Sequence, residues 1–198
     1  LWVVIGQVLA SGRLPQAQVG ILGFLSIFCI SSSALIINDY FDYEVDLINA
    51  PGRPLPSGKV TRADGIGLTI ATTLIGLLAS LALGLSALLV CIILWVTGFL
   101  YNWRYKQTGL LGNLMVCVSV AATFIFGAIT VHAPWSGIVW TFSLMAFFIV
   151  LGEEIAGDAM DMEGDKKRGS RSIALLKGNF DLLSIPSHQK DDWPTEKY

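Results

Sequence analysis

Charge is what this sequence has least of. Only 14% of its residues are Asp, Glu, Lys or Arg, and 13 basic side chains nearly balance 15 acidic ones, for a net charge of −2. With no basic patch interleaved with aromatics, that balance excludes a nucleic-acid surface. Histidine and cysteine are also scarce, at two and three residues. Cys29, Cys91 and Cys117 lie far apart inside apolar runs with no His nearby, which fits small buried hydrophobes rather than a disulfide or metal role. The apolar runs lack the period-two alternation a closed β-barrel requires. No cleavable signal is visible. The chain opens on Leu1-Trp2-Val3-Val4-Ile5, without an initiator Met or a charged n-region, and so reads as a fragment.

What is present in quantity is hydrocarbon. Hydrophobic residues make up 54% of the 198 residues, and the mean hydropathy is +0.64. They are gathered into runs long enough to cross a core of about 30 Å as helix. The expected fold class is all-α, a polytopic transmembrane helix bundle, incomplete at both ends. Its spans are expected at roughly 1–10, 19–37, 65–83, 86–101, 110–131 and 137–157, within a domain over 1–177. A polar C-terminal tail occupies 178–198. Residues 38–64 read as a charged loop rich in helix breakers, and 101–108 as a second polar loop.

Alternating spans place both loops on one side, together with the segment after the last span. That side holds Arg53, Lys59, Arg62, Arg104, Lys106, Lys166, Lys167, Arg168, Arg171 and Lys177, whereas the opposite loops hold Arg13 alone. The excess of positive charge marks the cytoplasmic side of a cell membrane. Trp103, Trp135 and Trp140 fall where interfacial anchors are expected.

Carboxylates are few, yet six recur in one pattern. Asp39, Asp42 and Asp46 stand at i, i+3 and i+7, and Asp158, Asp161 and Asp165 repeat the spacing. On a helix each set shares one face, and like charges stacked that way repel unless a cation lies between them. Each set follows the exit of a span, where carboxylates oppose the helix dipole rather than complement it. Oxygen-only ligands suit Mg²⁺, with Mn²⁺ as the alternative, and two such clusters suggest two ions clamping a diphosphate. Glu154, one turn before Asp158, is a candidate addition to the second cluster, and Glu153 and Glu163 are expected to be solvated. Arg53, Lys106, Lys166 and Arg171 are candidate ligands for the remaining diphosphate oxygens.

Loss of diphosphate from a prenyl chain leaves an allylic cation, which ring faces stabilise. Tyr40, Phe41, Tyr43, Tyr101 and Tyr105 lie near the motif level, and Tyr101 is the strongest candidate because Lys106 follows closely. These readings converge on prenyl transfer inside a membrane.

The motifs resemble those of the UbiA superfamily of intramembrane prenyltransferases. They are Asn38-Asp39-x-x-Asp42-x-x-x-Asp46, the Asn49 to Gly58 stretch with Arg53, Tyr101-Asn102-x-x-x-Lys106, Gly112-Asn113, and Asp158-x-x-Asp161-x-x-x-Asp165-Lys166. The resemblance implies Mg²⁺-dependent transfer from a polyprenyl diphosphate to a lipid-like acceptor. The two Asp motifs would hold the metals, Asn38 would join the first, and Arg53 and Lys106 would contact diphosphate. Asn38 to Asp42, Tyr101-Asn102 and Phe124 to Ala128 are most similar to the branch that moves a geranylgeranyl group onto geranylgeranylglyceryl phosphate in ether-lipid biosynthesis. The alternatives are an aromatic or chlorophyllide-type acceptor, or an inactive truncated remnant. The superfamily has more spans than the five and part of another supplied here.

Overall fold

The computed structural model describes residues 1–160, with side chains through Gly157. Its elements are α1 (Trp2–Ser11), α2 (Ala17–Phe41), α3 (Tyr43–Asn49), α4 (Arg62–Ala82), α5 (Leu85–Leu100), a π-helical turn (Tyr101–Tyr105), α6 (Leu110–Thr130) and α7 (Gly137–Met160). No strand occurs among the described residues. The long helices and the breaks at Gly12, Gly84 and Pro134 follow the apolar runs as expected.

Two boundaries differ. Helix α2 continues past the end of its hydrophobic run to Phe41, and α3 follows after the single residue Asp42, so the first part of the expected 38–64 loop is helical. The backbone amides of Asp42 and Asp46 still donate to Asn38 O and Asp42 O, at 2.9 and 2.8 Å, so the ladder survives the junction. The expected loop after Leu100 begins instead as the π turn, in which Lys106 N donates to Tyr101 O at 2.8 Å. At the start of α4 the Thr61 side chain accepts from Asp64 N while Asp64 accepts from Thr61 N, a reciprocal cap worth about 1 kcal/mol.

The packing is that of a membrane bundle. Lipid gives apolar side chains no reason to hide, so helices associate through small residues that permit close approach. Helix α2 packs on α4 through Ser26, Cys29 and Ile30 against Gly76 and Ala79. The serine hydroxyls at this seam donate to their own helices, Ser26 to Leu22 O and Ser80 to Leu77 O. Helix α1 crosses α6 with backbone against backbone, since a Cβ on Gly6 would strike Phe124 O and one on Gly127 would strike Val3 O. Large apolar side chains point outward instead, including Phe24, Phe28, Leu74, Leu78, Ile93 and Phe148. Five helices are long and apolar enough to cross a membrane. Trp103, Trp135 and Trp140 are exposed near helix ends, and the last two rings stack at 6.4 Å.

Candidate active site

Helix α2, the π turn and the Pro51–Gly58 loop bring the first carboxylate set together with three of the expected partners. Asp42 lies at the α2–α3 junction, and Lys106 Nζ donates to its Oδ2 at 2.5 Å. Arg53 Nη1 donates to Asp46 Oδ2 at 2.7 Å and lies 3.6 Å from Asp39 Oδ1. The hydrogen bond and charge of Asp46 raise the Arg53 guanidinium above its already high ordinary value, so it stays cationic. Repulsion between the three carboxylates is thus met by the chain's own cations.

The π turn makes this possible. Its extra residue per turn carries Lys106 round to face α2, a use of π segments common at functional sites. Gly112 lets α6 press against it, because a Cβ there would lie 2.7 Å from Tyr105 O. Asn38 connects the two sides, its side-chain amide meeting Asn102 Oδ1 at 2.7 Å.

From this polar end a groove runs down between α2, α5 and α6. A cavity of 470 Å³ is lined at its head by Asn38, Tyr101, Asn102 and Lys106 and along its walls by Ile27, Ile30, Leu94, Met115 and Val120. A second, of 310 Å³, shares Ile27, Ser31, Ser119, Val120 and Thr123 with it and reaches Trp2 and Phe28. The Ser119 and Thr123 hydroxyls donate to Met115 O and Val120 O, which leaves a wall suited to hydrocarbon. A mostly apolar cleft with a few converging polar groups at one end is the usual form of a small-molecule site.

Not every expected residue joins it. Tyr101 lines the groove, but Tyr40 and Tyr43 lie under the Arg62 guanidinium, 5.9 and 3.9 Å from its carbon, and Phe41 packs edge-on against Phe99. None of these three rings lines the groove: Tyr40 and Tyr43 lie well round the α2–α3 helix from Asn38, whereas Phe41, at i+3, is near its face but packs against Phe99. Glu154 is half-buried on α7 and Glu153 is exposed. The backbone of Asp158 lies on α7 and its side chain is not described; Asp161, Glu163, Asp165, Lys166, Arg171 and the 178–198 tail lie outside the described residues. Asn102 is the residue the spacing argument left unassigned. Its signal was an amide at the end of a long apolar run, beside Tyr101.

Among the described residues no three Asp, Glu, His or Cys side chains converge as a ready metal centre. The donor chemistry nonetheless fits a hard divalent ion: all ligands are oxygen, and the Asp39 and Asp42 side chains remain 43% and 24% exposed. Asp46 is only 9% exposed and is engaged in holding Arg53.

Fold and site define an integral membrane protein whose polar end gathers carboxylates and cations over an apolar groove. The chain belongs to the UbiA prenyltransferase family, which it matches over residues 1–188. It is 35% identical over 175 residues to digeranylgeranylglyceryl phosphate synthase of Thermococcus kodakarensis, covering 88% of this chain and 62% of that one. The enzyme of the same description from Methanopyrus kandleri is 35% identical over 185 residues, covering 93% and 67%. A solved structure of digeranylgeranylglyceryl phosphate synthase superimposes with a TM-score of 0.80 at 31% identity, covering 88% of this chain and 62% of that one. The apo structure of a UbiA homolog from Aeropyrum pernix shares the fold, with a TM-score of 0.75 at 20% identity over 88% of this chain and 66% of that one. The chain thus spans about three fifths of the length of the first of these relatives, at 62%.

Proposed function

We propose that this chain carries the diphosphate-binding head and part of the prenyl groove of an intramembrane prenyltransferase that moves a geranylgeranyl group from its diphosphate to geranylgeranylglyceryl phosphate. The observation that carries the reading is the continuity of an apolar groove with a head of Asn38, Asp42, Tyr101 and Lys106. The names of the relatives supply the acceptor.

In this reading the prenyl tail lies along Ile27, Val120 and Leu94, and the diphosphate sits at Lys106. Lys106 exchanges its partner Asp42 for diphosphate oxygens, and Arg53 adds a second positive charge from the loop. Asp39 and Asp42, with the Asp158, Asp161 and Asp165 set, would hold Mg²⁺, which when bound would neutralise charge on the leaving group. The bond between the prenyl C1 and the diphosphate oxygen breaks, and its electron pair leaves with diphosphate. The Tyr101 ring faces the allylic cation that remains, and the apolar walls keep water from it. The acceptor hydroxyl oxygen bonds to C1, and its proton passes to the departing diphosphate. The surplus of Lys and Arg around the head supports a cytoplasmic orientation for this chemistry.

The test is a transfer assay on the complete protein in liposomes, with labelled geranylgeranyl diphosphate, Mg²⁺ and a panel of acceptors. Product with geranylgeranylglyceryl phosphate, lost on chelation, is expected. Transfer only to an aromatic or chlorophyllide acceptor would replace the acceptor, and no transfer to any would overturn the enzyme. Maleimide labelling of Ser57→Cys from the cytoplasmic side only is the expected orientation result, and labelling from outside only would reverse it.

A further inference from the structure

The Asn38 amide cannot satisfy all of its neighbours at once. Asn102 Nδ2 uses both of its hydrogens, donating to Ala34 O on α2 at 3.1 Å and to Gly98 O on α5 at 2.9 Å. This double anchor is possible because Gly98 lets the two helices close; a Cβ on it would lie 3.2 Å from Ala34 Cβ. Turning Asn102 over would set its Oδ1 against both carbonyls, so its Oδ1 faces Asn38 instead.

Two orientations of Asn38 compete. With Nδ2 toward Asn102 it donates at 2.7 Å. Its Oδ1 then lies against Asp42 Oδ2, and its Nδ2 stands near Lys106 Nζ, so two like pairs oppose. Turned over, Asn38 donates to Asp42 Oδ2 at 3.1 Å and accepts from Lys106 Nζ at 2.9 Å, but sets oxygen against Asn102 Oδ1 at 2.7 Å. Each arrangement leaves an unfavourable contact in a half-buried site, where such contacts are costly.

We propose that Asn102 is a positioning residue: it biases the Asn38 amide to one orientation, the one reached fully when Lys106 turns from Asp42 to bound diphosphate and leaves Asp42 free to turn away. The amide is then a two-state element. Asn102 favours one state, the Asp42–Lys106 pair favours the other, and diphosphate binding, by drawing Lys106 from Asp42, releases Asn38 to Asn102. This rests on the functional reading above for the identity of the ligand, but its coupling can be measured apart from turnover.

The experiment is a double-mutant cycle on the complete protein with Asn38→Ala, Asn102→Leu and both, with Asn102→Ala as a second variant should the leucine disturb folding. Two quantities are read: kcat and KM for geranylgeranyl diphosphate, and the affinity for inorganic pyrophosphate with Mg²⁺ from its stabilisation of the protein against heat. Each single change is expected to weaken pyrophosphate binding by about tenfold to a hundredfold, the range for outer partners of an ion site. The double variant is expected to match Asn38→Ala rather than the product of the two losses. Additive losses, or a Tm drop at Asn102 with unchanged pyrophosphate affinity, would overturn the proposal. Coupled pyrophosphate binding in a protein that transfers no prenyl group would sustain Asn102 and refute the transferase reading. Wild-type protein that binds no pyrophosphate would refute both.

Discussion

The two ends of the α2 bundle hold polar side chains in opposite ways. At the head, Asp39, Asp42, Asp46, Arg53 and Lys106 are drawn from α2, α3, a loop and the π turn, and most remain partly exposed. At the far end, Gln7 and Thr130 are buried at 0 and 4% exposure, joined by one hydrogen bond, and enclosed by close glycine contacts from α1 and α6. The first arrangement has cations that can change partners and an amide with two rival orientations. The second has a fixed bond. In a membrane protein, where apolar burial adds little between helices, polar groups can thus serve either exchange or attachment, and exposure together with the number of rival partners separates the two.

The largest effect should come from breaking the exchanging end. Asp42→Ala removes the partner of Lys106 and one expected metal ligand, and turnover is expected to fall at least a hundred- to a thousandfold, the order seen when one key electrostatic group is lost. Melting in detergent should change little, because the pair is partly solvated and such pairs contribute roughly 0–1 kcal/mol. A large loss of stability with unchanged turnover would invert the comparison.

Next comes the attached end. Gly127→Leu forces a side chain into Val3 O and the backbone of Gly6. Neither backbone can yield cheaply, so a destabilisation of about 1–3 kcal/mol or more is expected from overpacking. It should be read as a fall in melting temperature, with activity per folded molecule retained. Unchanged melting would mean that α1 does not cross α6 at this point.

The groove connecting the two ends gives a smaller, selective effect. Ser31 lies in the stretch shared by both cavities, seven residues from Asn38, or about 10 Å along α2 at the usual helical rise. Ser31→Trp should block the deeper part while leaving room for a C10 chain. The expected shift in the C20 to C10 preference, as the ratio of kcat/KM values, is roughly tenfold to a hundredfold. Equal loss for both chain lengths would show that the tail does not pass Ser31.

Much of this comparison was legible in the sequence. The helices follow the hydropathy runs because in lipid a helix must satisfy its own backbone, whatever packs beside it. The meeting of Asp42 with Lys106, and of Arg53 with Asp39 and Asp46, was within reach because span counting put these residues on one side. Rotation about α2 was not. Tyr40, Phe41 and Tyr43 stand inside the first Asp motif and Tyr101 lies far from it in sequence, yet Tyr101 lines the groove while they face Arg62 and Phe99. An apolar run alone does not say which face meets the groove when both protein and lipid accept the same side chains. The π turn was hidden for a related reason. It is packed against Gly112 of the next helix, where a Cβ would strike Tyr105 O, a contact that no local pattern in Tyr101 to Tyr105 records.

The smallest effect tests the attached end bond by bond. Gln7 Nε2 donates to Thr130 Oγ1 at 2.9 Å and to Val19 O at 3.2 Å, whereas Gln7 Oε1 has no hydrogen-bond partner among the described residues. Thr130 in turn donates to Gly127 O at 2.7 Å. Replacing Gln7 by Met keeps the volume, removes the orphan oxygen and strands nothing, because Thr130 keeps its own acceptor. The lost bonds, about 0.5–1.5 kcal/mol each, are offset by the orphan group's penalty of about 1–3 kcal/mol. Gln7→Met should therefore leave stability within about 1 kcal/mol of wild type. Thr130→Val should cost about 1–3 kcal/mol, because it strands a buried Gln7 N–H. In the Gln7→Met background, Thr130→Val should cost almost nothing, and neither change should alter pyrophosphate affinity. Coupling that appears in stability at Gln7 and Thr130, but in ligand affinity at Asn38 and Asn102, would establish that the two ends differ in kind. A loss of pyrophosphate affinity in Gln7→Met would instead join them into one network.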